Sequence, residues 1–321
     1  MISVIMPMFN ESDTIQHSID KMYSVLNSLK DDWELIVVDD GSTDNTKDIV
    51  LNMAKERGRL RLCGYPKNRG RGRALREGFD RARGDIIITT EADSSWGTGL
   101  VMELIDGLKN DPGCDLLIAS PNLSGGGYKS VPLLRVFISR IGNKILRAAF
   151  SGDLTMATGM MRGYRSRAIK SLDLESDGKE IHIEILSKLM ALGMTIKEIP
   201  GTIDWSLQQN KKTKRRSTLK IRRTVISHLL FSFIEAPVIL LGVLGAASIL
   251  LGIIFGLSLV YSRFTSKDDL SRPIINLTIL LIITGTQLLI FSFLAYQNKR
   301  TQNQVVRLQR DIRLSGLGRK S

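Results

Sequence analysis

Glu91 and Asp93 stand one residue apart at the end of a short β-branched run, Asp85-Ile86-Ile87-Ile88-Thr89-Thr90. Such a run reads as a buried strand of a parallel sheet, and ligand crevices in α/β sheets lie outside the carboxyl ends of strands. Two carboxylates at i and i+2 on a strand exit can share a hard divalent ion, Mg2+ or Mn2+, itself bound to a phosphate. An isolated E-x-D is usually only an acidic loop, so its neighbours decide the matter. Asn10-Glu11 follows the first strand, and Asp39-Asp40-Gly41-Ser42-Thr43-Asp44 follows the second. After the third, Asn68-Arg69-Gly70-Arg71-Gly72-Arg73 opens a helix. That layout fits a nucleoside diphosphate with its metal, because helix N-termini and arginines attract phosphates. Carboxylates would then hold ribose, base or cation. Seen alone, Arg71 and Arg73 read equally well as a solvated basic face. A P-loop and a G-x-G-x-x-G after the first strand are both missing, which disfavours P-loop NTPases and dinucleotide-binding dehydrogenases. His17, His182 and His228 form no nucleophilic constellation with Cys or Ser. His182, at a helix start, reads as a packing or capping residue rather than a general base.

The elements that must position these groups alternate in type. Strands are expected at Ile2–Met6 (broken by Pro7), Leu35–Val38, Arg59–Tyr65, Ile86–Thr89 and Asp115–Ala119. Helices fall between them: one capped by Ser12 or Asp13 and running to about Leu29, others ending near Arg57 and Gly84, and one from about Leu100 to Leu108. Alternation of this kind predicts a doubly wound, mostly parallel sheet. Ser124-Gly125-Gly126-Gly127 reads as a flexible loop, and Val131–Phe150 as an amphipathic helix with Arg135, Ser139, Arg140, Lys144 and Arg147 on its polar side. A helix over Ile181–Leu192 and a strand over Thr195–Ile199 close the domain.

The chain of 321 residues is 43% hydrophobic yet 24% charged, and its mean hydropathy of +0.02 averages two unlike regions. Ala236–Ser262 and Pro273–Asn298 carry no charge. Each is long enough to cross about 30 Å of hydrocarbon, so two transmembrane helices are expected, joined by a short polar turn. Gly252 and Gly256 form a G-x-x-x-G that can pack helices within or between protomers, which makes a homo-oligomer plausible. A net charge of +13 suits nucleic acid, anionic lipid or phosphorylated substrates. With 6% aromatic residues and no nucleic-acid-binding motif, nucleic acid is not an expected partner. The run Lys211–Arg223, just before the first span, suits membrane lipids with anionic head groups. Lys299–Ser321 is basic too, so the positive-inside rule puts both termini and the catalytic domain on the cytoplasmic side of a cell or ER-type membrane. The N-terminus reads as a strand rather than a signal peptide. Cys63 and Cys114 read as buried free thiols.

Val4-Ile5-Met6-Pro7, Asn10-Glu11, Val37-Val38-Asp39-Asp40-Gly41-Ser42-Thr43-Asp44, Asn68-Arg69-Gly70-Arg71-Gly72 and Glu91-Ala92-Asp93 occur in an order and spacing that resembles family 2 inverting glycosyltransferases. The V-V-D-D-G-S-T-D block is the specific one. Tyr164-Arg165-Ser166-Arg167 and His182–Pro200 resemble the later part of polyprenyl- and dolichyl-phosphate hexose synthases. The resemblance implies a GT-A catalytic domain over residues 1–212, a basic juxtamembrane amphipathic segment over 213–234, a transmembrane hairpin over 235–298 and a basic tail over 299–321. It implies transfer of a hexose or N-acetylhexosamine from a UDP- or GDP-linked sugar to a polyprenyl or dolichyl phosphate, with a divalent cation.

Carried onto this chain, the resemblance gives the nucleotide to Pro7, Phe9, Asn10, Glu11, Val38, Asp39, Asp40 and Arg71. Glu91, Asp93 and Ser95 would hold the metal, with Asp93, Glu91, Arg135 and Ser139 at the reaction centre. Arg135, Ser139, Arg165, Lys212, Arg215 and Arg216 would hold the acceptor phosphate. The sequence departs from the family at the triad, which is E-A-D rather than D-A-D, and at Ser94-Ser95, where the family has L-Q. It also has Pro121-Asn122 where an Arg is expected, and lacks a clean match for the Arg before the S-K-L element. A processive polysaccharide synthase would carry a Q-x-x-R-W element, which is missing. A membrane-anchored scaffold that kept the fold and lost catalysis is the other alternative.

Overall fold

The computed structural model describes residues 1–93, 95–133, 136, 139, 143, 154–206, 237–265 and 272–317. They fall into two compact units, an α/β unit and a helical hairpin. In the first, β1 (Ile2–Met8), α1 (Ile15–Leu26), β2 (Trp33–Asp40), α2 (Thr46–Glu56), β3 (Leu60–Tyr65), α3 (Arg71–Arg81), β4 (Ile86–Thr89), α4 (Gly99–Asn110) and β5 (Leu116–Ser120) alternate. Then come β6 (Gly127–Lys129), β7 (Arg162–Arg165), α5 (Ser166–Lys170), α6 (Ile181–Ala191), β8 (Ile196–Pro200) and β9 (Thr202–Asp204).

The seven-stranded sheet has the order β3-β2-β1-β4-β7-β5-β8. Only β7 runs against its neighbours, and β6 pairs with β9 apart from the main sheet. Strands β2, β4 and β5 are buried along their whole length. That is why they read as unbroken apolar runs: helices cover both faces of a parallel sheet, and no face is left for polar side chains. α3 closes onto β1 through Gly78, where a Cβ would lie 2.4 Å from Ile5 Cγ2. The chain winds outward from β1 to β3, then crosses back so that β4 lies on the other side of β1. A crevice is therefore expected at the carboxyl ends of β1 and β4.

Pro7 does not break β1, contrary to the sequence expectation; the strand runs to Met8, with Pro7 opposite Val38. The reason is register. Thr90 N donates to Ile5 O, so the backbone polar groups of Ile5, and of Pro7 two residues on, face β4. The β4 ladder ends at Thr89, opposite Ile5, and a missing N–H beyond that point costs nothing.

The second unit contains α7 (Pro237–Thr265) and the start of α8 (Arg272–Leu317). Both are long and apolar enough to cross a membrane, with mean hydropathies of 2.5 and 2.2 over the most apolar 18 residues within Leu241–Ser262 and Pro273–Ile312. Only 11% and 17% of the most apolar windows are buried, the reverse of a soluble core helix. Leu250, Ile254, Leu257, Phe291 and Phe293 are instead exposed. So large an apolar surface is stable against lipid and not against water, and the chain is accordingly a membrane protein. α8 passes residue 299 without a break.

The glycines of α7 face α8. A Cβ on Gly245 would lie 2.9 Å from Gly285 O, and one on Gly252 would lie 2.7 Å from Ile282 Cγ1. Ser248 Oγ donates to Leu281 O at 2.8 Å across the same seam. Of the two packings open to the G-x-x-x-G, the one within the chain is the one Gly252 makes. Small residues let the two backbones approach, which is how helices gain contact where lipid removes the hydrophobic drive.

Candidate active site

The exits of β1 and β4 enclose a cavity of about 110 Å³. Pro7, Met8, Phe9 and Glu11 form one side, Asp40 and Arg71 another, Glu91, Ala92 and Asp93 a third, and Met160 closes it. The segment after β4 is held from several directions. Ser18 Oγ, on α1, donates to Ala92 O at 2.6 Å, and Asp204 N donates to Ser95 O at 2.7 Å. Ser95 N donates to Asp93 Oδ1 at 3.1 Å and Ser95 Oγ to Glu91 Oε2 at 2.8 Å. The other Glu91 oxygen, Oε1, lies 3.3 Å from Arg71 Nη2. Ser95 is buried and does not line the cavity; through its two hydrogen bonds it braces Glu91 and Asp93.

Asp40 also has a role that its motif does not announce. Its carboxylate accepts from Tyr65 Oη (2.7 Å), Asn68 Nδ2 (2.9 Å), Arg69 N (2.8 Å) and Gly70 N (3.0 Å). It thereby fixes the start of α3, and it raises the Tyr65 phenol, already pushed up by burial, still further. Gly70 precedes the helix with φ 107°, in the left-handed region that favours glycine. At Gly72 a Cβ would meet Ser176 O at 2.4 Å, so the loop before α6 lies directly against this helix start. Asp177 of that loop pairs with Arg69 and Arg76. α3 has no acidic residue in its first turn, and its N-terminus, carrying Arg71, opens on the cavity.

The structure places the other predicted residues as follows. Asn10 (φ 53°) accepts from Thr43 N, and Asp39 Oδ1 accepts from Ser42 N; both shape the loops beside the cavity. The Val38 side chain is fully buried in β2 and does not line the cavity. Arg165 does not line the cavity either. It pairs with Ile86 at the amino end of β4, and its guanidinium donates to the carbonyls of Leu108, Cys114 and Asp111. β7 is antiparallel, so its first residue, Arg162, reaches the site end of β4 rather than its last. Ser139 accepts from Asn143 Nδ2 through its carbonyl at 2.9 Å. Arg135, Lys212, Arg215 and Arg216 lie outside the described residues.

Sequence reasoning missed Met160 and Arg162. Arg162 is fully buried and donates to Gly159 O, His182 O and Ala157 O at 2.7, 3.2 and 2.5 Å. It ties the loop bearing Met160 to the first turn of α6, and burial pulls its pKa down. The signal for it was the R-G-Y-R pattern, which offers two arginines and no strand direction. His182 is buried beside it, with neither ring nitrogen hydrogen-bonded. Burial first, then the charges of Arg162, Arg71 and Lys179, push its pKa well below 6.5.

The mostly parallel sheet, with paired acids at the β4 exit, has the GT-A fold. The profile described as Glycosyl transferase family 2 matches residues 3–173, and the chain belongs to that family. The undecaprenyl-phosphate 4-deoxy-4-formamido-L-arabinose transferase of Shewanella sediminis is 26% identical over 278 residues, 82% of this chain and 75% of that protein. The dolichol-phosphate mannosyltransferase of Pyrococcus furiosus is 25% identical over 226 residues, 70% of this chain and 62% of that protein. The glucosyl-3-phosphoglycerate synthase of Mycobacterium tuberculosis, solved with Mn2+, UDP-glucose and phosphoglyceric acid, superimposes with a TM-score of 0.55 at 21% identity. That match covers 72% of this chain and 79% of the other, and the likeness is one of fold.

Proposed function

We propose that this protein moves a hexose or N-acetylhexosamine from a UDP- or GDP-linked sugar to a polyprenyl phosphate, at the cytoplasmic face of the membrane that holds its hairpin. The observation that carries the reading is the cavity at the β1 and β4 exits, with Arg71 and Asp93 on its wall, in a chain that also carries two apolar helices. The names of the Shewanella and Pyrococcus relatives, both transferases to lipid phosphates, support it. The proposed division is a catalytic domain over 1–212, a juxtamembrane segment over 213–234, a hairpin over 235–298 and a tail over 299–321.

Asp93 suits a divalent cation, Mg2+ or Mn2+, because it presents a hard carboxylate to a cavity opposite an arginine. An ion held there by Asp93 would neutralise charge developing on the departing nucleoside diphosphate. The acceptor phosphate is already an anion at neutral pH, so no side chain needs to remove a proton. Its oxygen attacks the anomeric carbon from the face opposite the diphosphate, the glycosidic C–O bond breaks, and its electron pair leaves on the diphosphate. Arg71, at the amino end of α3, holds that diphosphate. Pro7, Phe9 and Glu11 line the cavity beside it and cradle base and ribose. Arg135, Ser139, Lys212, Arg215 and Arg216 hold the acceptor.

The test is to offer the purified protein a panel of sugar nucleotides with a polyprenyl phosphate and Mg2+ or Mn2+. A lipid-linked sugar is the expected product. Asp93→Ala should lower its formation by at least about 100-fold, the scale of losing a transition-state electrostatic contact. Release of free sugar alone, or transfer indifferent to Asp93, would exclude the reading.

A further inference from the structure

Glu91 occupies the first position of a triad in which both acids are expected to face a cation, yet both of its oxygens already have partners within the protein. Oε1 lies 3.3 Å from Arg71 Nη2, and Oε2 accepts from the buried Ser95 Oγ at 2.8 Å. Arg71, for its part, opens a helix with no acid in its first turn and no side-chain cap. The Asp40 carboxylate already receives the N–H groups of Arg69 and Gly70 at that start, so the Arg71 guanidinium is the group that still needs an anion, and Glu91 supplies it. Its side chain is one methylene longer than that of an aspartate, which is the length that carries it to Arg71.

We infer that Glu91 is an internal stand-in for the donor's diphosphate at Arg71 and not a metal ligand, and that a nucleoside diphosphate binds by taking Arg71 from Glu91. Asp93 then serves the cation without Glu91. This rests on the function proposed above and adds the order of events at the site. Arg71 exchanges one anion for another, and Glu91 falls back on Ser95, which keeps its hydrogen bond throughout. Glu91 is thus a positioning residue: it holds Arg71 over the cavity before the donor arrives and opposes donor binding by the strength of that contact.

The experiment uses the full chain in detergent, with UDP and GDP as probes. Nucleotide binding is measured by calorimetry in EDTA and then in Mn2+, and Mn2+ binding by electron paramagnetic resonance. Glu91→Gln should bind the preferred nucleotide more tightly than wild type in EDTA, by about fivefold, the upper range for a partly exposed ion pair. It should keep the wild-type Mn2+ affinity, whereas Asp93→Asn should lose the Mn2+ signal. Glu91→Asp, too short to reach Arg71, should also gain metal-free affinity, and it carries the comparison if the Gln variant does not fold. Loss of Mn2+ binding in Glu91→Gln, or metal-free affinity that is unchanged or weaker, overturns the inference alone. A wild-type protein that binds neither UDP nor GDP with Mn2+ overturns the proposed function together with it.

Discussion

At the scale of single residues, the site shows how little of a side chain's role its identity fixes. Asp40 and Asp93 are both acids at strand exits, but Asp40 is spent on four donors that hold α3. His182 is the residue whose surroundings make the clearest demand. Its pKa is pushed well below 6.5 by burial and by the nearby charges of Arg162, Arg71 and Lys179. The unfolded chain titrates near the ordinary value, so below about pH 6.5 it takes up a proton that the folded chain refuses. Stability is therefore whole above that pH and declines as pH falls towards the depressed folded pKa. Urea unfolding at pH 7.5 and 5.5 should show the decline, at no more than about 1.4 kcal/mol per pH unit from this one group. Most of it should vanish in His182→Leu, which also relieves two unpaired ring nitrogens.

At the scale of elements, the amino end of α3 is the piece on which the site depends. The helix is pinned by Asp40 from β2, by the Asp177 loop packed over Gly72, and by Gly78 against β1. Asp40→Ala would leave Arg69 N and Gly70 N without their acceptor and free Tyr65 and Asn68. The expected cost is about 3 kcal/mol, the range for hydrogen bonds to a charged group, seen as a lower denaturation midpoint. Nucleotide binding should weaken with it, because Arg71 is carried on the same turn. Restoring the geometry with Asp40→Asn should recover only part of the stability, since an amide accepts at one oxygen where the carboxylate accepts at two.

At the scale of the whole molecule, the chain joins an α/β unit to a hairpin whose outer surface is apolar. The hairpin should stay with the membrane pellet through alkaline carbonate washing. Gly285 meets Ile249 and Gly245 across the seam, where a Cβ would lie 2.6 Å from Ile249 Cγ1. Gly285→Leu should force α7 and α8 apart at about 1–3 kcal/mol, the usual cost of overpacking, and lower the thermal midpoint in detergent. A matching change at Gly256, where the nearest atom of Thr278 is 3.6 Å away, should cost less.

The sequence by itself determined the alternation of strands and helices, the acids at the strand exits and the two uncharged spans. Each is a local pattern: a buried strand must be apolar throughout, and a membrane span must lack charge. What the tertiary structure decided depends on pairings between distant segments. The direction of β7 chose Arg162 over Arg165, and the end of the β4 ladder made Pro7 harmless. An ion pair between Arg71 and Glu91 joined the start of α3 to the β4 exit, and the facing of two helices assigned Gly252 to the chain's own seam. None of these is written in neighbouring residues, because a side chain's partner is set by which strands lie side by side and which way they run.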